Sequence, residues 1–356
     1  MTKRFIASLL PVIALLLIPG SWQKLMAQDQ PERFLTGVQN PEDLLQLPGT
    51  HWIIVSCYSS STAKSGKLMA IDLDKQGTAP LEVFPGPTPL KNGNLPDNNP
   101  INKLFRPHGI NCLQTGINQY RLFVISHGSE ETIEIFDVDL RSEDLQITWS
   151  KSIGLPTTVW ANGIVVSPDE TVFVTSMYDP ADKKFIDEFE KGKPTGQVWK
   201  WTSGQGWQTL NGKLLSGANG IEISRDGQIL YVSEWAKRRL WRFSLNRAIV
   251  DSYIQLDFLT DNLRWTEKGN LLLAGQKASP AILFKAHSLQ QAVGGNQFSV
   301  AEINPVTFTA NSLIDGGDRD FGWGTVAIAV GAEIWVGSSL TSKIACYKSF
   351  KTKSTR

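Results

Sequence analysis

Residues 218–234 read ANGIEISRDGQILYVSE, and residues 161–176 read ANGIVVSPDETVFVTS. In both, a polar pair precedes an apolar run, a turn follows, and a second apolar run closes the unit. Two short apolar runs flanking SRDGQ or SPDET read as an antiparallel hairpin. Four further copies are PEDLLQLPGTHWIIVS from Pro41, PHGINCLQTGINQYRLFVIS from Pro107, TDNLRWTEKGNLLLAG from Thr260 and WGTVAIAVGAEIWVGS from Trp323. Between them, KLMAIDL, TIEIFDVDL, QVWKWTS, RRLWRFSL and AILFKAH have the alternation and aromatic content of outer strands.

Six hairpins, with room for two more strands in each unit, predict a six-bladed β-propeller. The hairpin-like turns argue against a solenoid. Length alone suggests about two domains, but closed all-β folds of this size form one. The expected architecture is all-β, a single propeller over residues 28–348, closed by an N-terminal strand joining the last blade. Residues 84–106, rich in Pro and Asn, read as a long loop. Residues 179–196 read as a charged insert with a short helix. Long loops on a compact scaffold are candidate lids or binding loops.

The termini carry separate signals. Lys3 and Arg4 precede an apolar run from Phe5 to Ile18, which Pro19-Gly20 ends, and Leu25-Met26-Ala27 offers a cleavage site before Gln28. This reads as a signal peptide over 1–27 and an exported, secreted or periplasmic protein. The alternative is an uncleaved membrane anchor through residues 5–18, a run short for a span. Residues 349–356 are a solvated basic tail. With a net charge of +1 and no long basic run, nucleic-acid binding has no support. Three cysteines, Cys57, Cys112 and Cys346, fit no zinc motif, and an exported chain allows one pair to oxidise.

The copies align on their first apolar residue: Leu44, Ile110, Ile164, Ile221, Leu263 and Val326. Just before it stand Glu42-Asp43, His108-Gly109, Asn162-Gly163, Asn219-Gly220, Asp261-Asn262 and Gly324-Thr325. Equivalent positions on innermost strands converge on the channel of a propeller. Glu42, Asn162, Asn219, Asp261 and Asn262 should therefore meet at one spot. Two carboxylates and three amide carbonyls form an oxygen-only set, which suits calcium better than zinc. Asn or Asp before a strand also caps backbone locally, but recurrence around one axis favours an ion. Two carboxylates buried together without a cation would conflict.

Histidines mark the second copy. His108 opens its first run and His127 closes its second, so antiparallel pairing brings them to one sheet edge. The chain has four histidines in all. An imidazole titrates near neutrality and suits general-base chemistry. No G-x-S-x-G elbow offers a nucleophile instead.

PEDL at 41–44, RPHGI at 106–110, FVISH at 123–127, ANGI at 161–164, ANGIEIS at 218–224 and TDNL at 260–263 together resemble the paraoxonase family, calcium-dependent six-bladed propeller lactonases and arylesterases. The more distant gluconolactonase and regucalcin group shares the propeller and metal site but lacks the histidine pair. The resemblance implies a catalytic calcium on Glu42, Asn162, Asn219, Asp261 and Asn262, and a catalytic dyad of His108 and His127. It also implies a second, structural calcium on Asp43, the Ile110 carbonyl and an Asp after the third-blade Asn, where this chain has Gly163. Cys346 matches one half of the family's terminal disulfide, with no early cysteine to pair with it. The segment between Tyr58 and Lys67 is shorter than the family's lid. The expected activity is hydrolysis of a small lactone or aryl ester. Alternatives are a sugar-lactone hydrolase or a non-catalytic, calcium-pinned binding propeller. A strictosidine-synthase-like propeller needs no metal, and the oxygen ligands argue against it.

Overall fold

The computed structural model describes residues 28–59, 65–75, 79–84, 104–142, 144–246, 250–290 and 296–349. The expectations for 1–27, for residues 350–356, for most of the 84–106 loop and for the tip between Tyr58 and Lys67 lie outside those residues.

The described strands form six four-stranded antiparallel sheets. Strand β1 (Arg33–Thr36) belongs to the last blade. Blade one holds β2 (Pro41–Gln46), β3 (Trp52–Cys57), β4 (Lys67–Asp72) and β5 (Leu81–Phe84). Blade two holds β6 (Pro107–Gly116), β7 (Gln119–His127), β8 (Glu131–Asp139) and β9 (Gln146–Gly154). Blade three holds β10 (Ala161–Val166), β11 (Val172–Ser176), β12 (Gly196–Thr202) and β13 (Gly206–Leu215). Blade four holds β14 (Ala218–Ile223), β15 (Ile229–Glu234), β16 (Arg239–Ser244) and β17 (Ser252–Gln255). Blade five holds β18 (Leu259–Trp265), β19 (Leu271–Gln276), β20 (Phe298–Asn304) and β21 (Thr309–Gly316). Blade six holds β22 (Gly324–Val330), β23 (Glu333–Ser338) and β24 (Lys343–Lys348). The ring closes where β1 pairs with β24, from Arg33 opposite Cys346 to Thr36 opposite Lys343. This is the expected six-bladed propeller with its N-terminal closing strand.

Each innermost strand is buried on both faces, so its sequence reads as a continuous apolar run. Successive residues of β10 show why. Ile164 and Val166 pack with Phe123 and Ile125 of blade two, whereas Val165 packs with Ile221 and Leu230 of blade four. The same alternation gives one apolar cluster between every pair of neighbouring blades.

One expected outer strand is a helix. AILFKAH lies in α2 (Pro280–Leu289), where the Ser279 side chain accepts a hydrogen bond from the Ile282 N–H and Pro280 sits in the first turn. FSVAEIN supplies the third strand of blade five instead. The insert at 179–196 forms α1 (Phe185–Glu190) as expected. Both helices connect second to third strands and so lie on the face where His127 ends β7. There Phe189, Leu283 and Ala286 join Tyr178 and Trp235 in a seventh apolar cluster. Among the described residues, no helix is long and apolar enough to cross a membrane. All three cysteines are free thiols. Cys57 and Cys346 share the cluster between blades one and six, while Cys112 packs between blades one and two.

Candidate metal centre and histidine pair

Every innermost hairpin breaks register at its first residues. The shifts fall between Pro41 and Asp43, Pro107 and Ile110, Ala161 and Ile164, Ala218 and Ile221, Thr260 and Leu263, and Gly324 and Val326. A bulge leaves residues unpaired and re-aims their side chains. The residues released are Glu42, His108, Asn162, Asn219, Asp261 with Asn262, and Thr325. The repeated polar positions are thus the repeated bulges.

Neighbouring bulges touch. A Cβ on Gly163 would lie 2.8 Å from the Asn219 carbonyl oxygen, and one on Gly220 would lie 2.3 Å from that of Asp261. Hydroxyls then fix the next blade's backbone. Thr175 donates to the Asn219 carbonyl. Ser233 Oγ donates to the Asp261 carbonyl at 2.7 Å, and Thr325 Oγ1 to that of Glu42 at 2.7 Å.

These contacts hold four side chains with one oxygen each left over. Glu42 Oε1 accepts from Asn262 Nδ2 at 2.8 Å. Asp261 Oδ2 accepts from Gln276 Nε2 at 2.6 Å. Glu42 Oε2, Asp261 Oδ1, Asn162 Oδ1 and Asn219 Oδ1 are buried without a hydrogen-bond partner. Buried polar atoms are normally paired, so four orphans from four blades lining one cavity constitute a donor set for a hard cation. Asn262, the fifth expected ligand, here orients Glu42. The charges agree with this reading. Burial, and then the charge of Glu42, push the Asp261 carboxyl well above the usual carboxylate range. Burial is the largest single influence on Glu42 and opposes its ionisation, but the neighbouring His108, the Asn262 hydrogen bond and the Arg264 charge together outweigh it and hold Glu42 low. His108 is itself raised, because Glu42 and Asp261 overcome the effect of its burial. Two carboxylates lean on one imidazole for positive charge, which a divalent ion would supply.

Asp43 and the Ile110 carbonyl do not fit the expected second ion. Both are engaged by Arg264, whose Nη2 donates to Asp43 Oδ2 at 2.5 Å and to the Ile110 oxygen at 2.9 Å. The third expected position, Gly163, has no room for a carboxylate side chain.

The two histidines meet as their strand positions require. His108 Nδ1 lies 2.6 Å from His127 Nε2. His127 Nδ1 lies 2.7 Å from Glu131 Oε1, and Glu131 Oε2 accepts from the Ala161 N–H at 3.2 Å. On the far side, His108 Nε2 is 3.4 Å from Glu42 Oε1. His127 is 1% exposed and stacks on Trp160 with ring centroids 4.4 Å apart, so its ring cannot swing out. Arg106 Nη1 donates to the His127 carbonyl at 3.2 Å. Burial lowers the pKa of His127.

Three contributors escaped the sequence reading: Glu131, Arg264 and His287. Glu131 faces His127 across the β7–β8 pairing, a signal available from the short His127–Glu131 turn. His287 comes from the misread helix α2. Its Nε2 is 3.2 Å from Ser339 Oγ, and it lines the same cavity as His108 and Glu42. That cavity has a volume of about 400 Å³, with Tyr58, Trp160, Met177, Tyr178, Trp235 and Phe284 forming its apolar wall.

Fold and site define a six-bladed propeller whose axis carries an oxygen-rich centre suited to a hard cation, with a histidine pair at its edge. A sequence model of the SMP-30/gluconolactonase/LRE-like region matches residues 112–253. A search of curated proteins gives no match. Among solved structures the chain is similar to a luciferin-regenerating enzyme, with a TM-score of 0.54, 12% identity, and coverage of 89% of this chain and 95% of that one. It is also similar to the calcium-binding protein regucalcin from Agrobacterium tumefaciens, with a TM-score of 0.52, 11% identity, and coverage of 90% and 94%. A catalytically inactive virginiamycin B lyase from Staphylococcus aureus, in complex with quinupristin, gives a TM-score of 0.51, 10% identity, and coverage of 89% and 99%. At such identities these likenesses concern the fold. The paraoxonase resemblance rests on the chain's own motifs.

Proposed function

We propose that this chain is a calcium-dependent hydrolase of lactones and aryl esters. The observation that carries the reading is four unpartnered buried oxygens, on Glu42, Asn162, Asn219 and Asp261, beside the Nε2 atom of His108. Asn262 stands alongside them through Glu42. A calcium ion held there would act as a Lewis acid on the ester carbonyl.

The residues of the chain supply the base. A carboxylate only accepts hydrogen bonds, so Glu131 fixes the proton of His127 on Nδ1. His127 Nε2 is then the acceptor for His108 Nδ1–H. Glu42 faces His108 Nε2 at 3.4 Å and favours a proton there; a bound ion that takes up the Glu42 and Asp261 charges would leave the lone pair of His108 on Nε2, the nitrogen nearest the oxygen ring. Glu131, His127 and His108 thus form a directed relay. His108 Nε2 takes the proton of an attacking water, and the bond to His127 spreads the resulting charge. General-base catalysis of this kind is typically worth about 10²- to 10⁴-fold.

The aromatic wall supports a lipophilic acyl or aryl group as the part of the substrate outside the reacting ester. The match to a gluconolactonase-type sequence model favours a second reading, a sugar lactone. The proposal includes export through residues 1–27, because a millimolar-calcium environment fills a site of modest affinity. The partner is a small molecule.

The test is hydrolysis of an aliphatic lactone, a sugar lactone and an aryl ester by the mature protein, each with calcium and after chelation. Turnover that chelation abolishes and calcium restores supports the hydrolase, and substrate rank separates the two readings. Absence of turnover on all three, with calcium still raising Tm, assigns the propeller to binding instead.

A further inference from the structure

Beneath the oxygen ring, each innermost strand continues one to three residues deeper into the channel, and there the chain carries its own cation. All five N–H donors of the Arg264 guanidinium are used. Nε donates to the Leu44 carbonyl at 2.9 Å. Nη1 donates to Glu222 Oε1 at 3.2 Å and to the Leu263 carbonyl at 2.8 Å. Nη2 donates to Asp43 Oδ2 at 2.5 Å and to the Ile110 carbonyl at 2.9 Å. The acceptors come from blades one, two, four and five. Asp43 is completed by the N–H groups of Leu44 and Ile110, each at 2.9 Å. Arg264 is 6% exposed, Asp43 1% and Glu222 5%, so the charges answer one another and not solvent.

We propose that Arg264 is a built-in replacement for a second divalent ion, joining four blades at the point where Asp43 and the Ile110 carbonyl would otherwise ligate one. The guanidinium suits that role because it is planar, permanently charged and able to reach five acceptors in fixed directions. It follows that the lower layer of the channel is assembled without calcium, and that the chain takes up one ion fewer than its pair of stacked carboxylates, Glu42 and Asp43, suggests. The part concerning the upper ion rests on the function proposed above; the part concerning Arg264 does not.

The experiment is an ion count on the full chain, by calorimetric titration with calcium and by metal analysis after equilibration, for the wild type and Arg264→Ser. The wild type is expected to bind one calcium per chain. Arg264→Ser frees Asp43, Glu222 and the carbonyls of Leu44, Ile110 and Leu263, and is expected to bind one more ion than the wild type. Its Tm should be depressed in chelator and recover with calcium by more than the wild-type shift. Two ions on the wild type, or no increment on Arg264→Ser, overturns the inference. Should Arg264→Ser fail to fold, Asp43→Asn decides. An unchanged ion count supports Asp43 as a partner of Arg264, and a count reduced by one makes it an ion ligand and overturns the proposal. A wild-type count of zero defeats the calcium reading of the upper layer, while an added ion on Arg264→Ser still supports the role of the arginine.

Discussion

His108 Nδ1 and His127 Nε2 are 2.6 Å apart at the edge of the second blade, and the outer nitrogens of the pair face opposite partners, Glu42 on one side and Glu131 on the other. This polarity makes the pair directional. His108 faces the oxygen ring, and His127 faces the carboxylate that fixes its proton.

Replacing the proposed base is expected to separate catalysis from ion binding. His108→Gln is expected to lower kcat/KM for the best lactone by about 10²- to 10⁴-fold while calcium still raises Tm as in the wild type. Steady-state kinetics and thermal melts on the same preparation check this. Full activity in the variant contradicts the base assignment.

Glu131 touches His127 and not the oxygen ring, so in the proposed relay it would act only through His127. Glu131→Gln offers an N–H where the relay needs an acceptor, and is expected to cost about 10- to 100-fold in kcat with KM and calcium affinity little changed. Glu131→Asp should recover part of the loss. A pH–rate profile identical in shape and height to that of the wild type rules out the relay.

Glu42 belongs to the ring itself. Glu42→Gln removes one of two carboxylates and is expected to weaken calcium binding by at least 10-fold, in the range typical for disturbed metal sites, and to abolish the calcium-dependent rise in Tm at low calcium. Titration calorimetry reads the affinity directly.

Acid should destabilise the fold through histidines buried in neutral form. Burial lowers His287 from its ordinary 6.5 to about 4, and His127 moves in the same direction. Their folded pKa values lie below the unfolded ones, so the unfolded chain binds more protons in that window. Stability is full above about pH 6.5 and is lost as pH falls toward 4. His287→Gln is expected to flatten the decline of Tm over that interval. A slope equal to that of the wild type contradicts the assignment.

The ring of blades was legible because a local signal, a polar pair followed by a hairpin, recurs six times, and each recurrence is a bulge that aims the polar pair at the axis. Glu42, Asn162, Asn219 and Asp261 follow from alignment of the copies, and the meeting of His108 with His127 follows from antiparallel pairing of the two runs that they open and close. Arg264 lies outside that pattern, whose recurring polar residues precede each first apolar position. Its signal stands immediately after that position, where Glu222 and Arg264 interrupt the apolar runs ANGIEIS and TDNLRW on adjacent blades. A charge in a strand buried on both faces needs a partner, and their equivalent positions bring these two together. Helix α2 was hidden by an apolar run too short to show its period, although Ser279-Pro280 marks its start.

Titration of free calcium, with occupancy and lactone hydrolysis read on the same chelator-treated sample, tests the central claim most directly. The account predicts no turnover without the ion and activity that rises in proportion to occupancy of one site. Turnover that survives complete removal of bound calcium, or one filled site with no hydrolysis of any lactone or ester, contradicts it.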